Sequence, residues 1–306
     1  MEIGNINRNV TLDYFKIFLS FLVITSHLRP LFGPGLKSAM LGDGLGRIAV
    51  PCFFIISGYF FGRKISDSGA IKKYLKHLLL LYVVWSLIYS KFWGELDCQK
   101  LVEYIFFGYS HLWYIPALFG GIIILVILKK IIKNDNIILV LGILLYIIGH
   151  FLEPGRVLLF FVRNALFCGF PLVMLGYYVR IKDLPKKIED KYLIPVILIS
   201  FTTLGIESYY AYQKEFVSDM FLSILIVCPA ISMFVLRHST YKPESRYVNY
   251  LGSLSSAIYF VHLYVIYTLS IFPDKLLIYR FPFIVLVSIF VSIILIFVNK
   301  RVKIFL

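Results

Sequence analysis

Long apolar runs alternate with short polar connections along the whole chain, which is the pattern of membrane-spanning helices. Crossing the hydrocarbon of a bilayer takes about 20 mostly apolar residues in a helix. Ten segments meet or approach that length. We therefore predict an all-α, polytopic membrane protein, a bundle of ten transmembrane helices. The predicted spans are Leu12–Pro30, Leu45–Phe61, Tyr74–Trp93, Leu112–Leu128, Ile137–Phe151, Leu158–Val179, Leu193–Tyr212, Phe216–Leu236, Val248–Ile271 and Phe281–Val298.

The positions of Lys and Arg between these spans indicate their orientation. When the connections are numbered alternately, one set holds 20 of the 31 Lys and Arg residues, and the other holds 10, with Lys16 inside the first span. Cytoplasmic connections of membrane proteins are enriched in Lys and Arg. The asymmetry predicts that both termini are cytoplasmic, and the loss of one span would put them on opposite sides.

Composition supports a protein that lives in a lipid bilayer. Hydrophobic residues make up 59% of the chain and charged residues 16%, against roughly 45–50% and about 25% in soluble domains. This excludes a disordered chain, a disulfide scaffold and a soluble enzyme. Because the net charge of +14 comes from the connections between spans, no nucleic-acid partner is expected. We expect one integral-membrane domain over residues 1–306, with no soluble domain and no cleavable signal peptide.

The first predicted span carries a polar stripe. At 100° per residue, Asp13, Lys16, Ser20 and His27 share one narrow face of a helix that is otherwise apolar. Lipid cannot solvate such a face, so it should line the bundle interior or a hydrated cavity. Ionisable residues inside a membrane mark either a functional site or a buried pair.

Two interpretations stay open for each ionisable residue of the stripe. Lys16 either reaches the inner headgroups and pairs with Asp13 at i, i+3, or it takes part in function. His27 is either a hydrogen-bonded structural residue or a functional base.

A second polar face lies in the ninth predicted span. Ser255, Tyr259 and His262 recur at i, i+4 and i+7. Small hydroxyls that hydrogen-bond between helices would also explain such a face. His27 and His262 are not close enough in sequence to indicate a metal, and the four cysteines show no zinc-binding spacing. No metal is therefore expected.

The predicted connections offer two further groups of candidates. Ser57-Gly58-Tyr59 closes the second span just before Arg63, and Lys73 and Lys76 share a face at the start of the third. These cations are either ordinary positive charge at helix ends or a basic mouth for a phosphate-bearing donor. His111 starts the fourth span, where interfacial aromatic residues are expected in any case.

Taken together, these segments resemble the membrane-bound acyltransferase family 3, whose ten-span members modify bacterial cell-envelope polysaccharides and related molecules. The resemblance covers nearly the whole chain. Two departures are the lysine at position 16, where arginine is common, and the lysines in place of a pair of arginines three apart. The matching segments are Leu12–Lys16 through His27, Pro51–Tyr59, Lys73–Lys76, His111–Leu118 and Ser256–His262.

The resemblance implies acyl transfer, with acetyl-CoA as donor, to a hydroxyl of a saccharide or lipid-linked saccharide at the bacterial cytoplasmic membrane. An imidazole has an ordinary pKa of about 6.5, which suits abstraction of a hydroxyl proton at neutral pH. The expected catalytic residues are His27 and Lys16; the donor-binding residues are Arg63, Lys73, Lys76 and Tyr59; the substrate-binding residues are Asp13, Arg163, Tyr259, His262 and His111.

Two other classes of function remain open. A transporter or flippase for a small solute or an acylated saccharide would also place charges on one helix face. The resemblance includes this class, because the family contains the membrane portion of serine racemases thought to supply serine. A structural or sensory subunit is the third class, and it would tolerate loss of both His27 and Lys16.

Overall fold

A computed structural model describes residues 7–28, 35–95, 97–153, 161–243, 245–269 and 277–306. Nearly all of this part of the chain is helical, and eight helices within it are long and apolar enough to cross a membrane. Two shorter apolar helical segments, Ala165–Ile181 and Ile224–Arg237, occupy the sixth and eighth predicted spans. The architecture is that of a multi-pass membrane protein, whereas the count of ten and the cytoplasmic termini stay predictions. The predicted span ends Pro30, Leu158 and Ile271 lie outside the described residues.

Thirteen α-helices and one two-stranded ribbon form the described part. Turns of 3-10 and π-helix join several helices, and the residues from Leu36 to Phe61 form one continuous helical segment. The helices are α1 Val10–His27, α2 Leu36–Ser38, α3 Ala49–Phe61, α4 Ser68–Tyr89, α5 Cys98–Glu103, α6 Tyr114–Ile131, α7 Asp135–Leu152, α8 Phe170–Ile181, α9 Leu184–Lys187, α10 Asp190–Gln213, α11 Ile224–Arg237, α12 Arg246–Thr268 and α13 Leu277–Val302; the strands are β1 Asn7–Asn9 and β2 Tyr241–Pro243.

A short two-stranded ribbon accompanies the helices in an otherwise nearly all-helical structure. Strands β1 and β2 pair antiparallel, with Arg8 opposite Lys242. Each strand has three residues, too few to show the period-2 alternation by which a strand is recognised in sequence. Asn9 also caps α1, because its side chain accepts a hydrogen bond from the backbone N–H of Leu12 at 3.0 Å. The ribbon therefore leads directly into α1.

The chain divides into two compact units. The first, here the terminal unit, is Met1–Ala49 with Met233–Leu306, and the second, the central unit, is Val50–Ser232. In the terminal unit α1 packs against α12, and α12 packs against α13. The single-domain interpretation of residues 1–306 stays a prediction.

Near their N-terminal ends, α1 and α12 of the terminal unit are in contact through apolar side chains. Val10 and Ile17 of α1 form a buried cluster with Val248 and Leu251 of α12. Between membrane helices, close packing of such side chains stabilises the contact through dispersion forces. This cluster holds the polar stripe of α1 against α12.

In the central unit, two glycines let α3 and α8 touch backbone to backbone. A Cβ at Gly58 would overlap the backbone carbonyl of Val173, and a Cβ at Gly176 would overlap that of Ile55. Small residues permit close helix approach in membranes, where packing rather than the hydrophobic effect drives association. Gly58 is thus required by helix packing.

Candidate functional site

The N-terminal half of the predicted polar stripe is a three-charge network in the terminal unit. Asp13, whose side chain is 4% exposed, pairs with Nε of Arg8 at 2.6 Å and with Nζ of Lys16 at 2.6 Å. The i, i+3 pair left open by the sequence is present, and Asp13 holds two cations within the chain. The roles expected for Asp13 and Lys16 in catalysis and binding stay predictions.

Arg8 was not among the expected site residues. Its guanidinium lies against Gly252 of α12, where a Cβ would overlap it. The only sequence signal is a glycine within the ninth predicted span, and it does not identify which side chain fills the space. The network carries one net positive charge, from two cations and one carboxylate.

Further along the stripe, serine and histidine contacts join α1 to α12. The hydroxyl of Ser20 donates to the backbone carbonyl of Ser255 at 3.0 Å. The rings of His27 and His262 lie with their centroids 5.3 Å apart and their planes inclined at 41°. Two histidines that are distant in sequence are therefore neighbours in space.

The two histidines occupy different surroundings. His27 lies in the last turn of α1, with an exposed side chain, whereas His262 is 0% exposed. Nδ1 of His262 lies 2.6 Å from the backbone carbonyl oxygen of Tyr259 and 3.2 Å from that of Ile258. A carbonyl only accepts, so Nδ1 carries the proton, and in the neutral ring Nε2 holds the lone pair.

Tyr259 completes the expected group on α12. It is buried, and its ring centroid lies 6.1 Å from that of His262. Within the described ranges, no group of three or more His, Cys, Asp or Glu side chains is placed to hold a metal ion. The chemistry available here is that of imidazoles, hydroxyls and the nearby charge network of α1.

In the central unit, the expected donor-binding residues lie around the junction of α3 and α4. Tyr59 is buried near the end of α3, Arg63 is exposed just after it, and Lys73 and Lys76 are exposed in the first turns of α4. The exposed cations are available to a charged ligand.

Arg180 of α8 contacts this group through Tyr59, a contact that the sequence did not indicate. Nη1 of Arg180 donates to the hydroxyl of Tyr59 at 3.0 Å, and its guanidinium carbon lies 5.1 Å from the centre of that ring. The Gly58–Gly176 contact brings the two side chains together, since Tyr59 follows Gly58 directly and Arg180 lies one turn beyond Gly176. The signal available in the sequence was a glycine in each of two predicted spans, Gly58 and Gly176, which indicates that these helices can approach closely.

His111 and Arg163 occupy other parts of the central unit. His111 is 3% exposed, and its ring lies edge-on to Tyr89, with centroids 4.9 Å apart. Arg163 forms an ion pair with Asp219. It also lines a cavity of about 270 Å³ with aromatic walls that include Trp113. Binding of a substrate by either residue stays a prediction.

Comparison with known proteins places the chain in a family. A family model described as acyltransferase domain matches residues 9–297. A serine/alanine racemase of Enterococcus gallinarum is 28% identical over 299 residues, which cover 85% of this chain and 41% of that protein. An amino-acid racemase of Enterococcus faecalis is 31% identical over 138 residues, 39% of this chain and 20% of that protein.

The chain thus spans about two fifths of the first of these relatives, and no solved structure matches it. The family model, in contrast, covers nearly the whole sequence, including the first predicted span with His27 and the ninth with His262. The chain belongs to acyltransferase family 3.

Proposed function

We propose that this protein transfers an acyl group, acetyl in the simplest case, from cytoplasmic acyl-coenzyme A to a hydroxyl of a cell-envelope saccharide. The observation that carries the proposal is an exposed imidazole, His27, at the end of the polar stripe of α1 in a member of this acyltransferase family. An exposed ring is open to a substrate, whereas a ring enclosed by side chains is not.

The proposed chemistry needs one base. His27 takes the proton of the acceptor hydroxyl as the oxygen attacks the thioester carbonyl of the donor. The new C–O bond forms, the C–S bond breaks, and the departing thiolate takes the proton from the imidazolium. A positioned general base of this kind contributes about 10²–10⁴ in rate.

Lys16 acts on the same face of α1 through its charge. It lies between the carboxylate of Asp13 and the rest of the stripe, and its side chain remains 21% exposed. The network of Arg8, Asp13 and Lys16 leaves one positive charge in excess. That excess favours an anionic ligand on this face of α1.

The donor phosphates bind the basic residues of the central unit in this proposal. Arg63, Lys73 and Lys76 supply exposed charge. Arg180, which donates a hydrogen bond to the hydroxyl of Tyr59, supplies a planar guanidinium. Lys73 and Lys76 have no such group. Guanidinium groups bind phosphate through two parallel hydrogen bonds.

The acceptor class and the location are parts of the proposal as well. We assign the acceptor to saccharides or lipid-linked saccharides, and the protein to the bacterial cytoplasmic membrane. The aromatic walls and Arg163 of the central-unit cavity suit a sugar ring, because aromatic faces and a fixed cation contact both its apolar and polar sides.

Acyl transfer is tested with protein purified in lipid nanodiscs and acetyl-CoA labelled in the acetyl group. We expect release of free coenzyme A and loss of that activity by about 10²–10⁴-fold in His27→Ala. His238→Ala is the matched control, since His238 is another exposed histidine of the terminal unit. Full activity in an inserted His27→Ala protein would refute the assigned base.

A second candidate function is the transport of a small solute such as an amino acid, the class of compound that appears in the names of the racemase relatives. Charged groups along one face of α1 also suit a translocation path. Proteoliposomes loaded with labelled serine separate the two functions. A carrier exchanges serine and leaves acetyl-CoA intact, whereas the proposed enzyme consumes acetyl-CoA and moves no serine.

A further inference from the structure

The buried ring of His262 lies beside the exposed ring of His27, and its orientation is fixed. Its Nδ1 is anchored by the backbone carbonyls of Ile258 and Tyr259, at 3.2 Å and 2.6 Å. The ring is 0% exposed, so rotation would remove that anchor without offering water in return. One nitrogen of this imidazole therefore serves the backbone, and the ring of His27 lies beside it with the centroids 5.3 Å apart.

The contacts between α1 and α12 hold the two rings in this arrangement. Ser20 bonds to Ser255, and His27 and His262 each follow seven residues later on the same two helices. Seven residues are close to two helical turns. The serine pair and the histidine pair therefore lie along the same line of contact between α1 and α12, here called the seam. The neighbouring rings are thus part of a repeated contact.

We infer that His262 positions His27 and shares the proton that His27 removes from the acceptor hydroxyl. This inference rests on the proposed acyl transfer. Because Nδ1–H of His262 is donated to the backbone, its Nε2 has a lone pair that can accept an N–H of the His27 imidazolium. The proton taken from the hydroxyl is held between the two rings while the C–O bond forms, and it leaves on the thiolate when the C–S bond breaks. No other reactant is needed.

A neutral second imidazole has a specific advantage inside a membrane protein. A carboxylate in that place would form a standing ion pair with protonated His27 and would add a charge whose burial is costly. An imidazole instead fixes the orientation of its neighbour and accepts a hydrogen bond without any net charge. Outer partners that orient a functional histidine in metal sites typically cost about 10–100-fold when removed, and we expect a similar loss here.

Two substitutions separate this role from a structural one. In His262→Asn the side-chain amide keeps a donor near the position of Nδ1 but has nothing at Nε2. In His262→Gln an amide oxygen lies near the position of Nε2 but the donor to the carbonyl of Tyr259 is lost. If His262 positions His27, kcat falls about 10–100-fold in His262→Asn with an unchanged KM for acetyl-CoA, and His262→Gln recovers part of the loss. If His262 only anchors the backbone, Asn retains more activity than Gln, which overturns the inference.

His150→Asn is the matched control, because Nδ1 of His150 also lies on a backbone carbonyl, that of Met220, at 2.7 Å. We expect it to retain full activity. The double variant His27→Ala/His262→Asn should be no slower than His27→Ala alone, since residues that act as one unit are not additive.

A readout without activity keeps this inference distinct from the proposed function. The rate at which diethyl pyrocarbonate modifies His27, followed by peptide mass spectrometry, reports the nucleophilicity of that ring. We expect a clear change in that rate in His262→Asn and His262→Gln but none in His150→Asn. An unchanged rate in both His262 variants overturns the coupling. A changed rate in a protein that consumes no acetyl-CoA leaves the coupling standing and removes only the proposed function.

Discussion

Ser20 of α1 donates a hydrogen bond to the backbone carbonyl of Ser255 of α12 at 3.0 Å, and its Oγ also lies 3.3 Å from Oγ of Ser255. Both side chains are buried, at 0% and 3% exposure. Because His27 and His262 follow at equal intervals, α1 and α12 run in the same direction along this seam. The serine contact thus sets the register at which the two imidazoles meet.

We expect Ser20→Ala and Ser20→Leu to have different consequences. Alanine removes one hydrogen bond, at a cost of about 0.5–1.5 kcal/mol in the free energy of unfolding, and keeps the helices close. Leucine at this buried position also forces α1 and α12 apart, which costs typically about 1–3 kcal/mol more and separates the histidines. Unfolding in detergent and acetyl-CoA consumption measure the two effects. Ser256→Leu, at an exposed neighbour, should change neither, and equal activity of both Ser20 variants would contradict the argument.

Asp13→Asn should destabilise the terminal unit, because it leaves Arg8 and Lys16 as two facing cations. Breaking a buried ion pair costs about 3–5 kcal/mol, and we expect the lower end since the two cations are 31% and 21% exposed. Adding Lys16→Met should recover part of the stability, because it restores the net charge of the network. A double-mutant cycle on the free energy of unfolding measures this coupling. Strictly additive losses would show that the three charges do not act together.

Gly58→Ala and Gly176→Ala should each prevent close packing of α3 on α8. The added Cβ meets a backbone carbonyl, which cannot rotate away as a side chain can, so the cost should reach or exceed about 3 kcal/mol. Gly142→Ala is the matched control, since a Cβ there would lie 3.4 Å from Pro171, an ordinary contact. The yield and melting temperature of the purified proteins measure this cost, and both should be lower for Gly58→Ala and Gly176→Ala than for Gly142→Ala. A normal melting temperature in Gly58→Ala would mean that the helices are not held backbone to backbone.

Local periodicity accounts for what the sequence did predict. Eight of the predicted spans correspond to helices long and apolar enough to cross a membrane, and the sixth and eighth each contain a shorter apolar helical segment. An apolar run of this kind has few other ways to satisfy its backbone in lipid. The polar stripe of α1 was visible for the same reason, since one helix fixes the directions of its own side chains. The pair of Asp13 and Lys16 lies within that local range.

Three of the contacts that sequence reasoning missed join segments distant in the chain. His27 meets His262, Arg180 meets Tyr59, and Asp219 meets Arg163. A single helix period says which residues share a face but not which face of another helix lies opposite. The distance of His27 and His262 in sequence was therefore a poor guide to their distance in space. A polar or small residue on each of two spans was the signal that could have suggested such contacts.

Arg180→Lys should weaken donor binding without slowing the chemical step. Lysine keeps the charge but lacks the planar guanidinium that binds phosphate through two parallel hydrogen bonds. It also loses the hydrogen bond to the hydroxyl of Tyr59 and the contact with that ring. The loss of one charge-assisted hydrogen bond, about 1.5–3 kcal/mol, corresponds to a KM for acetyl-CoA raised by at least about tenfold at unchanged kcat. Steady-state kinetics in nanodiscs measure both parameters. Arg301→Lys is the control, since Arg301 lies 5.9 Å from the ring of Phe297 in a comparable contact and should leave KM unaltered. If kcat falls instead and KM does not move, Arg180 supports the fold of the central unit rather than the donor.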